Sequence, residues 1–272
     1  SAFNSSIGIF YKKKSHLSRI SYSGSYRAPH LSELFSNGLH HGSMRFEIGN
    51  INLDIEKSHQ FDFKYQWNND HVGLVVNPFM QIIDNFIEAS PSDSLFENRY
   101  VIYNYNQISN VEMSGFEMGL HYHPHFLHNI HIEQSYAFIR ALNKDNLISL
   151  TPSRHLDSSN KESSSFISMT PSNKIKTSLN IDLASYKIPI GLKSLKLYHI
   201  YSFEQDNVSI DETASDSYSI LNIDLRFIPF NNLICNVGVN NIFNEEYVPH
   251  LSRIKDIAGG IPHPGRSFNL SL

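Results

Sequence analysis

His59-Gln60-Phe61-Asp62-Phe63-Lys64-Tyr65-Gln66-Trp67 sets four aromatic rings on one parity and Gln60, Asp62, Lys64 and Gln66 on the other. A period of two marks a strand with one greasy and one polar face. The pattern recurs along the chain. Phe116, Met118, Leu120 and Tyr122 alternate with Glu117, Gly119, His121 and His123. Ile175, Thr177, Leu179, Ile181 and Leu183 alternate with Lys176, Ser178, Asn180 and Asp182, and Leu221, Ile223, Leu225 and Phe227 with Asn222, Asp224 and Arg226. The fold class read from this is all-β. Alternation alone leaves two readings open, a soluble sandwich whose greasy face meets a core and a membrane barrel whose greasy face meets lipid.

Connection lengths separate them. Strands are expected near residues 3–11, 16–26, 58–67, 71–84, 110–122, 128–140, 174–183, 194–203, 217–227, 233–242 and 266–272. Short links with turn chemistry, such as Asn68-Asn69-Asp70 or Pro229 with Asn231 and Asn232, alternate with long ones at 27–57, 85–109, 141–173, 204–216 and 243–265. A compact soluble domain seldom carries so many long loops, whereas short turns at one end and long loops at the other are the pattern of a transmembrane meander. The expected architecture is an antiparallel up-and-down transmembrane β-barrel, with long loops outside the cell and short turns in the periplasm. Eleven strands are an odd number, and an open edge in lipid leaves backbone groups unpaired, so the expectation is a partial barrel, the C-terminal portion of one with roughly 22 strands, occupying residues 1–272. The start at Ser1, without an initiator Met or a basic-apolar leader, also reads as a processed chain or a fragment.

Composition agrees. At 40% hydrophobic and 12% aromatic the chain is too apolar for disorder, and its net charge of -4, with Lys12-Lys13-Lys14 as the main basic cluster, argues against nucleic acid as a partner. The lone Cys235 excludes an internal disulfide and multi-cysteine metal motifs. No apolar run reaches the length of about 18 residues that a membrane helix needs.

The first long loop reads Tyr26-Arg27-Ala28-Pro29-His30-Leu31-Ser32-Glu33-Leu34-Phe35, then Gly38-Leu39-His40-His41-Gly42, then Phe46-Glu47-Ile48-Gly49-Asn50-Ile51-Asn52-Leu53 and Glu56-Lys57-Ser58. Near the other end stand Gly238-Val239-Asn240-Asn241-Ile242-Phe243-Asn244, Tyr247, and Gly260-Ile261-Pro262-His263-Pro264-Gly265-Arg266, with Gly115-Phe116-Glu117 between. These strings resemble TonB-dependent outer-membrane receptors: the aromatic-Arg-Ala-Pro and Gly-Asn-x-x-Leu elements of a loop box, and the final hairpin. Their order and spacing along the whole chain make the joint signal specific.

The resemblance implies a Gram-negative outer-membrane location, lipid contact, and coupling to the TonB complex through an N-terminal plug domain that these residues do not contain. It implies uptake of a metal or metal chelate: zinc, haem or ferric siderophore. No tightly bound cofactor is implied, zinc or haem being cargo. Family members finish on an aromatic, whereas Leu272 ends a last strand shorter than the roughly 9 to 11 residues needed to span, so a few more residues are expected beyond it.

In that family haem and zinc receptors place His in the first loop, which makes His40 and His41 the candidate metal contacts, with Glu47 and Glu33 as neighbouring carboxylates. A neutral imidazole suits zinc or haem iron. Adjacent residues on an extended backbone point to opposite sides, so one of the two is the expected ligand; the alternative is a pair of solvated loop side chains. His121, His123, His125, His128 and His131 form the densest cluster, but flank a short turn far from the capture face and read as polar interface residues. His30, His155, His250 and His263 are further loop candidates without a spacing signal. Pro29 ends a strand ladder, and Arg27 is expected to pair with a plug or loop carboxylate, Arg253 and Arg266 being similar structural cases. Tyr22, Trp67, Tyr122, Tyr201 and Phe203 fit interfacial girdles.

The sequence holds no Gly-x-Ser-x-Gly elbow, His-Glu-x-x-His helix or phosphate loop, so the reading is not an enzyme. Two other classes compete with the receptor: a passive porin or adhesin-like barrel, and a soluble carbohydrate-binding module that uses its aromatics as platforms. The barrel reading predicts recovery from membranes or inclusion bodies only. Fractionation that leaves the chain in detergent-free supernatant would favour the soluble module.

Overall fold

The computed structural model describes residues 3–145, 165–186, 188, 190–209, 211–230, 233–255 and 260–272. In chain order the elements are β1 (Ser5–Lys13), β2 (His16–Arg27), α1 (Leu31–Phe35), β3 (Asn37–His40), β4 (Arg45–Ile48), β5 (Glu56–Asn68), β6 (Val72–Phe96), β7 (Tyr100–Tyr122), β8 (Ile130–Asn143), β9 (Lys174–Asp182), β10 (Leu192–Ser202), β11 (Tyr218–Phe230), β12 (Leu233–Asn240) and β13 (Ser267–Ser271). Among the described residues, eleven strands form one antiparallel meander in the order β1-β2-β5-β6-β7-β8-β9-β10-β11-β12-β13, and β3 and β4 sit off this path. The sheet is not closed: β1 and β13 are its edges.

Register turns the alternation of each strand into rows across the sheet, because directly paired residues share a face. One row runs Val72, Tyr122, Ile132, Leu179, Leu197, Ile223, Val239, Phe268 across eight strands. Another joins Ile9, Ile20 and Phe63, which are 76%, 65% and 41% exposed. On the opposite parity, Asn180, Lys196, Asp224, Gly238 and Asn269 stand side by side. The greasy face is therefore the outward one, and polar residues such as His121, Glu133, Lys176, Lys196 and Asp224 line a concavity of about 830 Å³. All described strands belong to one sheet, so no second layer meets the greasy side as a sandwich requires. This is the wall of a partial barrel with lipid outside and water within.

Turn chemistry explains the short end. The Asn69 carboxamide oxygen accepts from the His71 and Val72 amides at 2.8 and 2.6 Å, closing the β5–β6 turn. Asn231 and Asn232 lie outside the described residues.

The 85–109 segment differs from expectation. Instead of a long loop it is the upper half of a hairpin, with β6 running 25 residues and β7 running 23, more than twice the roughly 9 to 11 a span needs. The breakers in Asn85 and Ser90-Pro91-Ser92-Asp93-Ser94 are absorbed locally. Asn85 takes φ 58°, a left-handed value Asn tolerates, and Pro91 sits where the register with β7 shifts. The hairpin turns at Glu97 and Asn98, both at positive φ.

The first long connection is also structured: β3 pairs with β4, and β4 pairs in parallel with β7 at Phe46–Ile102, Glu47–Tyr103 and Ile48–Asn104.

Placing a charge on the outward row is expected to be costly and on the inward row cheap. In the full-length parent refolded into phospholipid vesicles, Leu197→Arg should lose about 2–4 kcal/mol if it lies at mid-membrane. Lys196→Ala should stay within roughly 0.5 kcal/mol. Urea titration reads both, and equal costs would reverse the assignment of faces.

Candidate functional site

At the long-loop end, β2 delivers Arg27 directly opposite Glu56, the first residue of β5. Arg27 Nε donates to Glu56, and its Nη1 donates to Glu33 at 3.0 and 2.9 Å. Glu56 is buried, and its other oxygen accepts the buried Ile87 amide at 2.7 Å. The Glu56 hydrogen bond, opposed by burial and helped by Glu33, holds the Arg27 guanidinium above its ordinary pKa. Glu33 also accepts the His30 amide at 2.6 Å, which completes the capping box of α1, with His30 as N-cap. The expected loop carboxylate for Arg27 is thus a pair from this chain, Glu33 and Glu56.

Pro29, half-buried, separates the strand from that cap. The chain then returns through Gly49 and Asn50. Gly49 N donates to Ser36 O at 2.7 Å and Asn50 N to Glu33 O at 2.8 Å. A Cβ on Gly49 would lie 2.6 Å from backbone atoms of Leu34 and Phe35, so a side chain has no room. Asn50 Nδ2 reaches Tyr105 O at 3.3 Å, and Gln107 bonds both polar backbone groups of Asp54, each at 2.8 Å. Tyr26, Arg27, Ala28, Pro29, Gly49, Asn50 and Leu53 therefore mark the join of the first loop to its barrel strands and to the β6–β7 hairpin.

The structure does not gather the expected metal contacts into one shell. His40 ends β3, and its Nδ1 is hydrogen-bonded to Ser43 Oγ at 2.8 Å. His41 follows in the turn. Glu47 is buried and engaged by Arg45, at 2.7 Å, and by the Tyr105 hydroxyl, at 3.1 Å. Burial pushes its carboxyl up, but the Arg45 bond and charge outweigh this and leave it below the usual range. Glu33 is likewise committed to Arg27. Among the described residues, no group of three or more His, Cys, Asp or Glu stands ready to hold a metal ion.

A polar cavity of about 310 Å³ opens beside this loop, lined by Ser43, Arg45, Glu88, Tyr103, Asp211 and Arg253 among others. Burial raises the Glu88 carboxyl, with Asp211 adding to it, and burial raises that of Asp211, with Asp93 adding. Beneath it, the Glu212 carboxylate, its side chain 6% exposed, accepts from Lys255 Nζ at 3.4 Å and from the Met169 amide at 3.2 Å, and His250 Nε2 lies 3.4 Å from it. Lys255 Nζ also donates to Thr213 O at 2.7 Å, and His250 Nδ1 bonds Ser215 at 2.9 Å. One carboxylate ties three loops together. Arg45, Glu88 and Asp211 escaped the sequence reading, since each sits in a stretch without a motif and only folding brings them together.

The last-loop motif is structural in the same way. Asn241, 4% exposed and at φ 53°, donates its backbone amide to Asn222 Oδ1 at 2.9 Å, while its side chain bonds both backbone groups of Glu245 at 2.8 Å. Asn244 Oδ1 accepts the Arg266 amide at 2.8 Å, and a Cβ on Gly265 would meet that oxygen at 2.5 Å. Gly238 fits between Asp224 and Asn269, Asn240 accepts from the Tyr198 hydroxyl at 3.1 Å, and Phe243 stays 73% exposed. Tyr247 is stacked between Tyr218 and His263, and His263 Nδ1 lies 3.3 Å from Pro264 O. His155 lies outside the described residues. The five histidines around the β7–β8 turn are brought together at the opposite, short-turn end, where His71 joins them.

The family described as TonB dependent receptor-like, beta-barrel matches residues 1–242. Solved structures of the same fold include a copper transporter, OprC (17% identity, TM-score 0.73, 94% of this chain and 37% of that one). Others are the FrpB iron transporter from Neisseria meningitidis, F3-3 variant (15%, 0.65, 98% and 37%), and the siderophore receptor PirA from Pseudomonas aeruginosa (15%, 0.61, 98% and 38%). The chain spans less than two-fifths of each of these structures. No curated protein matches it by sequence.

Glu56 is the joint on which the loop box turns. Glu56→Ala strands the buried Ile87 amide and removes a partner of Arg27, which should cost about 1–3 kcal/mol. Faster hydrogen exchange over α1 and β4 in the full-length parent is the expected readout; unchanged exchange there would remove Glu56 from this role.

Proposed function

The chain belongs to the TonB-dependent receptor β-barrel family, and from that premise we propose that it is the C-terminal portion of an outer-membrane transporter that imports a metal or metal chelate. The eleven-stranded meander is half of a barrel of roughly 22 strands, the size class of plugged outer-membrane transporters. The remaining strands cover the open edges at β1 and β13, since lipid does not satisfy a bare strand edge. A plug domain elsewhere in the parent couples the barrel to TonB, in the outer membrane of a Gram-negative bacterium.

The observation that carries this reading is the pair of faces: a continuous apolar row outside and a charged, hydrated wall inside, under loops that enclose a polar cavity. Capture takes place at the long-loop end. One of His40 and His41 touches the cargo there, and zinc, haem and ferric siderophore are the cargo candidates. The Ser43 bond occupies His40 Nδ1 and leaves Nε2 as the nitrogen for a ligand, the pattern common to ligating imidazoles. Glu47 is a counter-charge for Arg45 and braces the β3–β4 hairpin that carries the two histidines. The similar structures are a copper transporter, an iron transporter and a siderophore receptor, which supports a metal-bearing cargo class.

The full-length parent carrying both His40→Ala and His41→Ala should bind zinc or haem at least about tenfold more weakly by calorimetry. Unchanged affinity for both would remove these residues from cargo capture. Uptake into cells should also cease without TonB; uptake that persists would indicate a passive pore.

A further inference from the structure

Lys12-Lys13-Lys14, the main basic cluster of the sequence, lies at the short-turn end of the wall and takes no part in cargo capture. Lys12 and Lys13 end β1, and Lys14 with Ser15 makes the turn to β2. All three lysines are exposed, and among the described residues none of their ammonium groups is in an ion pair. We propose that this turn, with His16, Tyr65 and Trp67 beside it, binds the phosphodiester headgroup of an anionic phospholipid at the membrane edge of the outward face. The site rests on the outer-membrane barrel reading for the orientation of that face.

Register arranges the outward side chains of β1, β2 and β5 in steps. Ile9, Ile20 and Phe63 form one row, Tyr11, Ser18 and Tyr65 the next, and Lys13, His16 and Trp67 the last before the turns. Over about 13 Å of strand the surface passes from hydrocarbon, through hydroxyls and rings, to cations and an indole. Those steps match the layers of a leaflet: acyl chains, the interface where Tyr and Trp reside, then headgroups. The other end of the same strands is different. There the outward Lys57 stands directly opposite Asp84, so the wall itself supplies its counter-charge. At the short-turn end it does not. In β1, β2, β5 and the two turns at this end the acidic residues are Glu56, Asp62 and Asp70. Glu56 is at the loop end, and Asp62 shares the inward parity with Arg19 and Lys64 through Ser21 and the alternation of β5. That leaves Asp70, in the β5–β6 turn, against three lysines.

Local structure holds these groups in place. Asn68 N donates to Ser15 O at 3.0 Å and ties the first turn to the end of β5. Lys14 takes φ 52°, a value Gly or Asn adopts at lower cost, so a cation is kept there against backbone preference. His16 Nδ1 is hydrogen-bonded to the Tyr65 hydroxyl at 2.8 Å. With that hydroxyl as donor the imidazole proton sits on Nε2, where it can be donated to a phosphate oxygen. The Lys13 ammonium and the Trp67 indole N–H are donors on the same row. Lys12 and Lys14 reach headgroup level by extending their long stems, as lysines at a membrane edge do. The ligand is a lipid rather than a free phosphate because the exposed Ile9, Ile20 and Phe63 row continues directly from the site and gives acyl chains a surface to lie on.

The experiment is native mass spectrometry of the full-length parent in detergent, titrated with phosphatidylglycerol, with phosphatidylcholine of the same chains, or with glycerophosphoglycerol, the headgroup without chains. The parent should retain phosphatidylglycerol at least about tenfold more tightly than phosphatidylcholine, and the preference should shrink as sodium chloride is raised. Lys12→Gln, Lys13→Gln and Lys14→Gln together should abolish the preference, His16→Phe should reduce it, and Lys57→Gln, at the other end of the strands, should leave it unchanged. The proposal is overturned if the triple variant keeps the parent's preference, if the two lipids bind alike, or if glycerophosphoglycerol competes as well as the lipid. Lys13→Gln decides alone should the triple variant fail to assemble, as judged by heat-modifiable migration. A parent recovered in detergent-free supernatant would overturn the barrel reading and this site with it, whereas an assembled barrel without the preference overturns the site alone.

Discussion

Lateral hydrogen bonding between strands is the constraint from which the rest of this structure descends. In hydrocarbon a peptide N–H or C=O has no water to turn to, and each one left unpaired costs several kcal/mol, so every spanning strand must find its partners in the strands beside it. That requirement locks register, and register aligns the alternating residues of separate strands into rows. Once Leu179, Leu197 and Ile223 are level with one another, their neighbours Asn180, Lys196 and Asp224 are level too, on the other face. The lipid-facing surface and the hydrated interior are two consequences of one pairing scheme.

Beyond the lipid edge the constraint changes, because water can satisfy backbone groups, and the chain is free to build. It does so by continuing β6 and β7 as a long hairpin and laying the first loop against it through the parallel β4–β7 pair. Charge then positions these parts. Arg27, Glu56 and Glu33 fasten strand ends to α1, Arg45 and Glu47 brace the β3–β4 hairpin, and Glu212 with Lys255 gathers three further loops. Such pairs contribute little net stability, the half-exposed Arg27 pairs through solvent screening and the buried Lys255–Glu212 pair through desolvation, but breaking one side of a buried pair is expensive. Their value here is geometric: they give loops without an apolar core a single arrangement. The small buried cluster of Ile83, Val111, Ala141 and Ile167, where the segment after β8 folds back onto the hairpin, is the nearest thing to a core in the described residues.

The two ends of the wall consequently differ in kind. Long loops enclose a mixed-charge cavity in which burial raises Glu88 and Asp211, while tight turns crowd imidazoles at the other mouth. Motif residues prove to be joints more than contacts. Gly49 is small because backbone passes 2.6 Å from where its Cβ would be, and Asn241 sits at positive φ with its side chain bonded to Glu245.

The eleven strands of the meander, their antiparallel order and the apolar face of four of them were legible in the sequence, though not β3, β4 or the full length of β6 and β7, because a strand's period of two is a local property and needs no partner to be seen. His59–Trp67 alone shows it. Short turns were legible for the same reason, as in Asn69 capping the amides of His71 and Val72. Three-dimensional structure alone decided what depends on contacts distant in sequence: that 85–109 extends a hairpin rather than forming a loop, since Asn85 and Pro91 look like breakers until β7 accommodates them; that Arg27 meets Glu56 and Glu33; that Arg45, Glu88 and Asp211 share a cavity; and that His71 joins histidines some fifty residues further on. Local patterning is set by covalent geometry along the chain. Long-range neighbours are set by the accumulated register of a sheet, which no single segment carries.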